Sequence, residues 1–177
     1  PSLRQTGPGR LVAEHSVLGR YELQAELSGH FPSPKLLFTE NETNVARLFG
    51  ASNPTPYVKD AFHRAVIEGE TEAVNPAGEG TKAAVHYVLR VPAGEERVVR
   101  LRLHRSQGTD LQAFGAAFER LFESRIAEAD AFYAERLSET ATEDERRVVR
   151  QGYAGLLWSK QFYHYIAGHW LEGDPAQ

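Results

Sequence analysis

The sequence predicts an α+β protein in which antiparallel strands come first and long helices follow. Short segments in which apolar and polar residues alternate fill much of residues 1–108, and this period of two is typical of half-buried strands. From residue 109 onward, apolar residues recur every three or four positions, which indicates helices. Strands followed by helices, rather than alternating with them, favour the α+β class.

Composition excludes several classes of protein. The chain has 177 residues, of which 41% are hydrophobic and 25% charged, so it can bury a core and is neither disordered nor collagen-like. No apolar run reaches the length of a membrane span. The net charge of -4 gives no sign of the basic face of a nucleic-acid binder. We therefore expect no nucleic-acid partner and no membrane partner.

Two residue types are absent. Without Cys the chain can form neither disulfides nor a thiolate site. Without Met, and beginning at Pro1, it is expected to be processed or a fragment, and the lack of a signal-peptide pattern favours a fragment. These features lead us to expect a cytoplasmic protein.

Five strands are expected, at 9–14, 19–27, Lys35–Thr39, 82–91 and 97–103. The last two are the clearest, and in 97–103 Val99, Leu101 and Leu103 alternate with basic residues. Residues 92–96 contain Pro and Gly and predict a hairpin that pairs 82–91 with 97–103.

The stretch between residues 39 and 80 is rich in Asn, Pro, Gly and charge. A loop of this length inside a domain is typically functional or disordered. Its aromatic residues Phe49, Tyr57 and Phe62 argue against disorder, so we expect a functional loop.

Two helices are expected after the strands. The first spans 111–137 and begins at a capping box formed by Thr109 and Gln112. The second spans 142–171, begins at a capping box formed by Thr142 and Glu145, and ends before Gly173.

The second predicted helix is apolar almost all round from residue 148, so we expect it to be buried on all sides. One preceding helix cannot cover it. We therefore expect its packing partners to lie outside this chain.

Three groups of residues could carry function. Glu40, Asn41, Glu42 and Asn44 offer carboxylates and amides that could hold sugar hydroxyls, although a turn that satisfies its own backbone has the same composition. The second group, Lys59, Asp60 and His63, could do acid/base work or be a solvated loop. The third group, Trp158, Lys160 and Gln161, could stack on sugar rings or be packed core with polar tips. The histidines show no metal-ligand spacing, so we predict no metal and no cofactor.

Several of these segments resemble glycoside hydrolase family 63, the family of mannosyl-oligosaccharide glucosidase and mannosylglycerate hydrolase-like proteins. The resemblance covers about residues 36–177. Its most specific part is the string Arg-Gln-Gly-Tyr-Ala-Gly-Leu-Leu-Trp-Ser-Lys-Gln-Phe-Tyr at 150–163. Shorter matches lie at 37–44, 57–63, 80–84 and 128–133.

The resemblance implies an incomplete β-sandwich over 1–108, a linker helix over 109–141 and the first helix of a truncated (α/α)6 barrel over 142–177. It also implies hydrolysis of an α-glycosidic bond with inversion, which uses two carboxyl groups. In the family these groups lie in the barrel, so the acid and the base are expected beyond residue 177 and no catalytic residue is assigned here.

The expected function is that of the non-catalytic N-terminal portion of an α-glucosidase-like enzyme that acts on oligosaccharides or small glycosides. Its partners would be the carbohydrate substrate and the remainder of the barrel. Two alternatives stay open: a free-standing carbohydrate-binding module and a structural docking module.

Overall fold

The computed structural model describes residues 1–27, 29, 32–106, 112–138, 140–160 and 166–173. Two antiparallel sheets are combined with several helices, and the longest helices follow the last strand, which confirms the α+β class. The chain divides into two compact units, residues 1–118 and 119–177. The division into sandwich, linker and barrel stays a prediction.

The strands form two antiparallel sheets in the first unit. The larger sheet has the strand order β5-β1-β2-β3-β7 and the smaller pairs β4 with β6. In the larger sheet Leu11 lies opposite Leu23, and Leu23 lies opposite Leu103, so a row of leucines runs across one face. The strands are β1 (Ser2–Gly7), β2 (Arg10–His15), β3 (Gly19–Ala25), β4 (Lys35–Thr39), β5 (Glu79–Gly80), β6 (Lys82–His86) and β7 (Leu101–Arg105).

The end of β4 contributes the most deeply buried side chains of the small sheet. Phe38 and Thr39 are completely buried, and Phe38 lies opposite Ala83 of β6. Val58 and Ala61, from the segment that follows later in the chain, are also buried. The residues on either side of the stretch 40–57 are therefore fixed in the core, which limits how far that stretch can move.

Strand prediction succeeded for three of the predicted segments. β2, β3 and β4 are confirmed, and β4 has its predicted bounds. The sequence analysis missed β1 and β5, because β1 holds one large apolar residue, Leu3, and β5 is two residues long. Neither offers an alternating pattern.

The predicted hairpin between 82–91 and 97–103 is wrong. β6 ends at His86 and pairs with β4, whereas β7 begins at Leu101 and pairs with β3. Val88, Val91 and Val98, which lie in the predicted hairpin, are exposed. The longer-range pairings instead place β6 beside buried Phe38 and β7 beside Leu23.

The stretch between 39 and 80 is not a continuous loop. It contains α1 (Val45–Phe49), α2 (Ala61–His63), a π-helical turn (Arg64–Glu68) and a 3-10 turn (Thr71–Ala73). These elements are too short to show helical periodicity in the sequence. The cap of α1 uses Asn44, a residue of the predicted loop.

Three helices follow the sheets: α3 (Ala116–Ala134), α4 (Glu143–Ser159) and α5 (Ala167–Glu172). α3 was predicted to begin at residue 111, but it begins after Gly115, whose φ of 117° is incompatible with a right-handed helix. The predicted capping box at Thr109 lies outside the described residues.

The capping box at the start of α4 is confirmed. The Thr142 hydroxyl accepts a hydrogen bond from the Glu145 amide at 3.3 Å, and the Glu145 carboxylate accepts one from the Thr142 amide at 2.8 Å. These bonds satisfy two amides that a helix start otherwise leaves unpaired.

A single helix over 142–171 is wrong. α4 ends at Ser159, and the backbone is extended at Lys160 and again at Ile166. Within this chain α4 has no buried residue and Leu156 is 70% exposed, so its burial by partners outside the chain stays a prediction. Helices draw most of their stability from tertiary packing, and this apolar segment has little. No helix in the described ranges combines the length and apolar character needed to cross a bilayer.

Gly80 generates a first prediction, because its backbone approaches that of Thr39. A Cβ at position 80 would lie 2.4 Å from the Thr39 carbonyl oxygen. We expect Gly80→Ala to lower the free energy of unfolding of the first unit by about 1–3 kcal/mol, as overpacking does. Amide hydrogen exchange in β4 and β6 measures this.

Gly7→Ala is the matched control for Gly80→Ala. A Cβ at Gly7 would meet only the Arg10 side chain, at 4.0 Å, so its effect should stay within about 0.5 kcal/mol. Equal protection of β4 and β6 in Gly80→Ala and the parent chain would contradict the close approach.

Glu145 generates a second prediction. Hydrogen bonds from the amide and the hydroxyl of Thr142 lower the pKa of the Glu145 carboxyl. The ionised carboxylate therefore stabilises the start of α4 above the pKa of an unfolded glutamate, and this contribution is lost as the pH falls through the lowered value. We expect the amides of Thr142, Glu145 and Arg146, which are hydrogen-bonded at this helix start, to lose exchange protection in acid.

Glu145→Gln is the control for the acid effect, since its amide oxygen can accept a hydrogen bond without titrating. The pH dependence of protection at the amides of Thr142, Glu145 and Arg146 should be much weaker in this variant. If both chains lose protection at the same pH, another group is responsible.

Candidate functional site

Two of the predicted functional segments lie side by side in the first unit. The Glu40 amide donates to the Tyr57 carbonyl at 2.7 Å, and the Lys59 amide donates to the Glu42 carbonyl at 2.9 Å. One segment leaves β4 and the other leads into α2. Their residues are far apart in the chain, but these two bonds hold the backbones together.

Asn44 connects the two segments through its side chain. Its carbonyl oxygen accepts from the Arg47 amide at 3.1 Å, which caps α1, and from the Asn53 side chain at 3.0 Å. Its amide nitrogen donates to Asp60 Oδ2 at 3.3 Å. All of these bonds are internal to the protein. They agree with the interpretation of this residue as one that satisfies nearby backbone and side chains.

Among the described residues, only one carboxylate oxygen of Asp60, Oδ2, accepts side-chain hydrogen bonds. Besides Asn44, Arg47 approaches Asp60 Oδ2 at 3.4 Å. The Asp60 side chain is 23% exposed, and its other oxygen, Oδ1, is buried without a hydrogen-bond partner among the described residues. A half-buried carboxylate beside a guanidinium and an amide holds α1 against the start of α2.

The proposed acid/base set of Lys59, Asp60 and His63 is not joined by side-chain hydrogen bonds in the described part of the chain. The Lys59 ammonium instead donates to Thr43 Oγ1 at 2.9 Å. His63 is exposed in α2. Only backbone groups connect His63 to Asp60, at 3.0 Å.

Glu40 is tied to a residue that the sequence analysis did not single out. Thr81 donates its hydroxyl proton to Glu40 Oε2 at 2.7 Å, and the same hydroxyl oxygen accepts a hydrogen bond from the backbone amide of Asn41 at 2.8 Å. The side chains of Asn41 and Glu42 are exposed. Glu40 is therefore the member of its group whose carboxylate is held in a fixed position.

A cleft of about 280 Å³ opens beside Glu40. It is lined by residues of β1 and β5, by the turn that precedes β5 and by Thr81. The full lining is Ser2, Leu3, Arg4, Glu40, Asn75, Glu79, Gly80 and Thr81. Sequence reasoning missed Arg4 and Glu79, because only the pairing of β1 with β5 brings them together, and nothing in the local pattern signals that pairing.

The third predicted group belongs to the second unit. Trp158 lies in the last turn of α4 and is 88% exposed, so it is not packed as core within this chain. Lys160 follows the helix as its C-terminal cap residue. Gln161 lies outside the described residues. Nowhere in the described ranges do three His, Asp or Glu side chains gather as metal ligands.

Comparison with known proteins finds a relative in yeast. The chain is 40% identical over 151 residues to an uncharacterized protein of Saccharomyces cerevisiae, YMR196W. The alignment covers 80% of this chain, which spans 14% of the length of the yeast protein. No family model matches the chain. No solved structure matches it.

The hydrogen bonds of Asn44 generate a third prediction. Asn44→Ala removes the cap of α1 and the bonds to Asn53 and Asp60, so we expect the free energy of unfolding of the first unit to fall by about 1–2 kcal/mol. Urea unfolding, followed through amide signals of β4, measures the change.

Asn41→Ala is the control for Asn44→Ala, because it removes an exposed side-chain amide from the same segment and keeps the backbone. It should change the stability by less than about 0.5 kcal/mol. Similar losses in the two variants would show that the Asn44 bonds do not organise the segment.

Proposed function

We propose that this chain is the non-catalytic N-terminal portion of an inverting α-glycosidase of glycoside hydrolase family 63. In this proposal the strands belong to a β-sandwich that braces the catalytic domain, and the helices lead into an (α/α)6 barrel. The family is suggested by the motif resemblance, and the observed order of sheets before helices is compatible with it.

The observation that carries the non-catalytic role is the state of Glu40 and Asp60, two of the three candidate carboxylates; the third, Glu42, is exposed. An inverting glycosidase needs one carboxyl group to protonate the leaving oxygen and another, about 6.5–9.5 Å away, to activate a water. Glu40 instead accepts from Thr81, and Asp60 accepts from Asn44 and Arg47. Both groups hold backbone segments together, which supports a bracing role and a catalytic pair elsewhere in the protein.

Two further features support a role inside a larger protein. The yeast relative is far longer than this chain, which spans 14% of it. Leu156, Leu157 and Trp158 expose more than half of their surface, and large apolar side chains clustered on a helix are typical of surfaces that pack against other parts of a protein. The same exposed side chains favour the second candidate function, a structural docking module.

The proposal also includes the reaction partners and the compartment. The carbohydrate substrate would be bound chiefly by the barrel, and loops of the sandwich would reach the rim of the substrate pocket. A chain with no Cys is compatible with the reducing cytoplasm, where disulfides are rare.

A paired assay tests the proposal. We expect the full-length yeast relative to hydrolyse p-nitrophenyl α-glucoside or an α-linked disaccharide with inversion, seen by proton NMR as the β-anomer released first. The 177-residue chain should give no turnover on the same substrates, because the catalytic carboxyl groups are proposed to lie outside it.

Two outcomes would contradict this proposal. Hydrolysis by the 177-residue chain that is abolished by Asp60→Asn would place catalysis in this segment. Release of the α-anomer by the yeast protein would exclude an inverting mechanism. Glu68→Gln serves as the control for Asp60→Asn, since it makes the same carboxylate-to-amide change at an exposed residue outside the candidate groups.

A further inference from the structure

We propose that the cleft beside Glu40 is a binding site for a single sugar ring or a similarly small neutral polyol. The cleft lies in the first unit, where β1 and β5 meet the chain leaving β4. Apart from Glu40, none of its lining residues belongs to the bonded segments around Asp60. The proposal names a site and a ligand class that the bracing role does not require.

Two of its charged side chains face the cleft from paired strands. Arg4 of β1 lies directly opposite Glu79 of β5, so their side chains point to the same face of the sheet. Within the described ranges, neither side chain makes a hydrogen bond or an ion pair. A guanidinium and a carboxylate are thus both available to a ligand in one small cleft.

The remaining polar groups are held in place before any ligand binds. Thr81 fixes Glu40 through the bond to Oε2 at 2.7 Å. Asn75 donates to the Glu79 carbonyl at 2.8 Å and accepts from the Ala77 amide at 3.0 Å, which fixes the turn that walls the cleft. Groups that are already ordered lose less conformational entropy on binding.

The chemistry of these groups selects the ligand. Hydroxyl groups can donate to the carboxylates of Glu40 and Glu79 and accept from the Arg4 guanidinium. Two carboxylates and one guanidinium give the cleft a net charge near -1, which disfavours phosphate, while Arg4 disfavours a bare metal ion. A volume of about 280 Å³ is at the small end for ligand sites and suits one ring.

A zwitterion such as an amino acid could use the same pair of opposite charges. The choice of a polyol over a zwitterion rests on the proposed carbohydrate function. The test therefore includes both ligands, so that an error in the ligand class is distinguished from an error in the proposed function, which the anomer-resolved assay tests separately.

Amide NMR on the 177-residue chain provides the test, with methyl α-D-glucopyranoside, L-alanine and inorganic phosphate as separate probes. We expect saturable shifts with the glucoside at the amides of Asn41, Gly80 and Thr81. Arg4→Gln and Glu79→Gln should each weaken binding about tenfold, since each loses a charge-assisted hydrogen bond. Both side chains are exposed, and unchanged signals elsewhere verify the fold.

Glu68→Gln is the matched control, because it removes an exposed carboxylate of the same unit that does not line the cleft. It should bind the glucoside as the parent chain does. The proposal is overturned if no probe gives saturable shifts at these amides, if phosphate or alanine binds in place of the glucoside, or if the two cleft variants bind as tightly as Glu68→Gln.

Discussion

Residues 79–81 join the two sheets of the first unit, and the other features of that unit depend on this junction. β5 pairs with β1 in the large sheet, and the chain then continues directly into β6, which pairs with β4 in the small sheet. At the crossing, Thr81 donates its amide to the Thr39 carbonyl at 3.1 Å. Gly80 is needed there because no Cβ fits against the Thr39 backbone.

The junction explains why the polar residues after β4 are ordered. The Thr81 hydroxyl is hydrogen-bonded to the Glu40 carboxylate and to the Asn41 backbone amide. These bonds fix the direction in which the chain leaves β4. Beyond that point, backbone bonds to residues 57–59 and the side chain of Asn44 continue the restraint as far as Asp60. Polar groups that resemble a catalytic set in the sequence thus fix the course of the chain, and one of these contacts, between Thr81 and Glu40, also lies in the lining of the cleft.

Local patterns in the sequence predicted local features of this fold. The bounds of β4 and the capping box at Thr142 followed from residues within a few positions of each other. The partners of β6 and β7 did not, since strand pairing depends on distant segments such as β3 and β4. For the same reason Arg4 could not be connected with Glu79. The start of α3 was missed because the glycine at 115 adopts a positive φ, which the apolar periodicity around it does not reveal.

The pairing of β3 with β7 also constrains the order in which this protein can fold during synthesis. Tyr21 pairs with Arg105, and Ala25 with Leu101, so the free edge of β3 has no partner until the ribosome has added residues 101–105. The β2–β3 hairpin, with its local contacts, can form early, whereas closing the long loop to β7 is entropically slower. Until then an unpaired strand edge is exposed on the nascent chain, which is the kind of surface that recruits chaperones or aggregates.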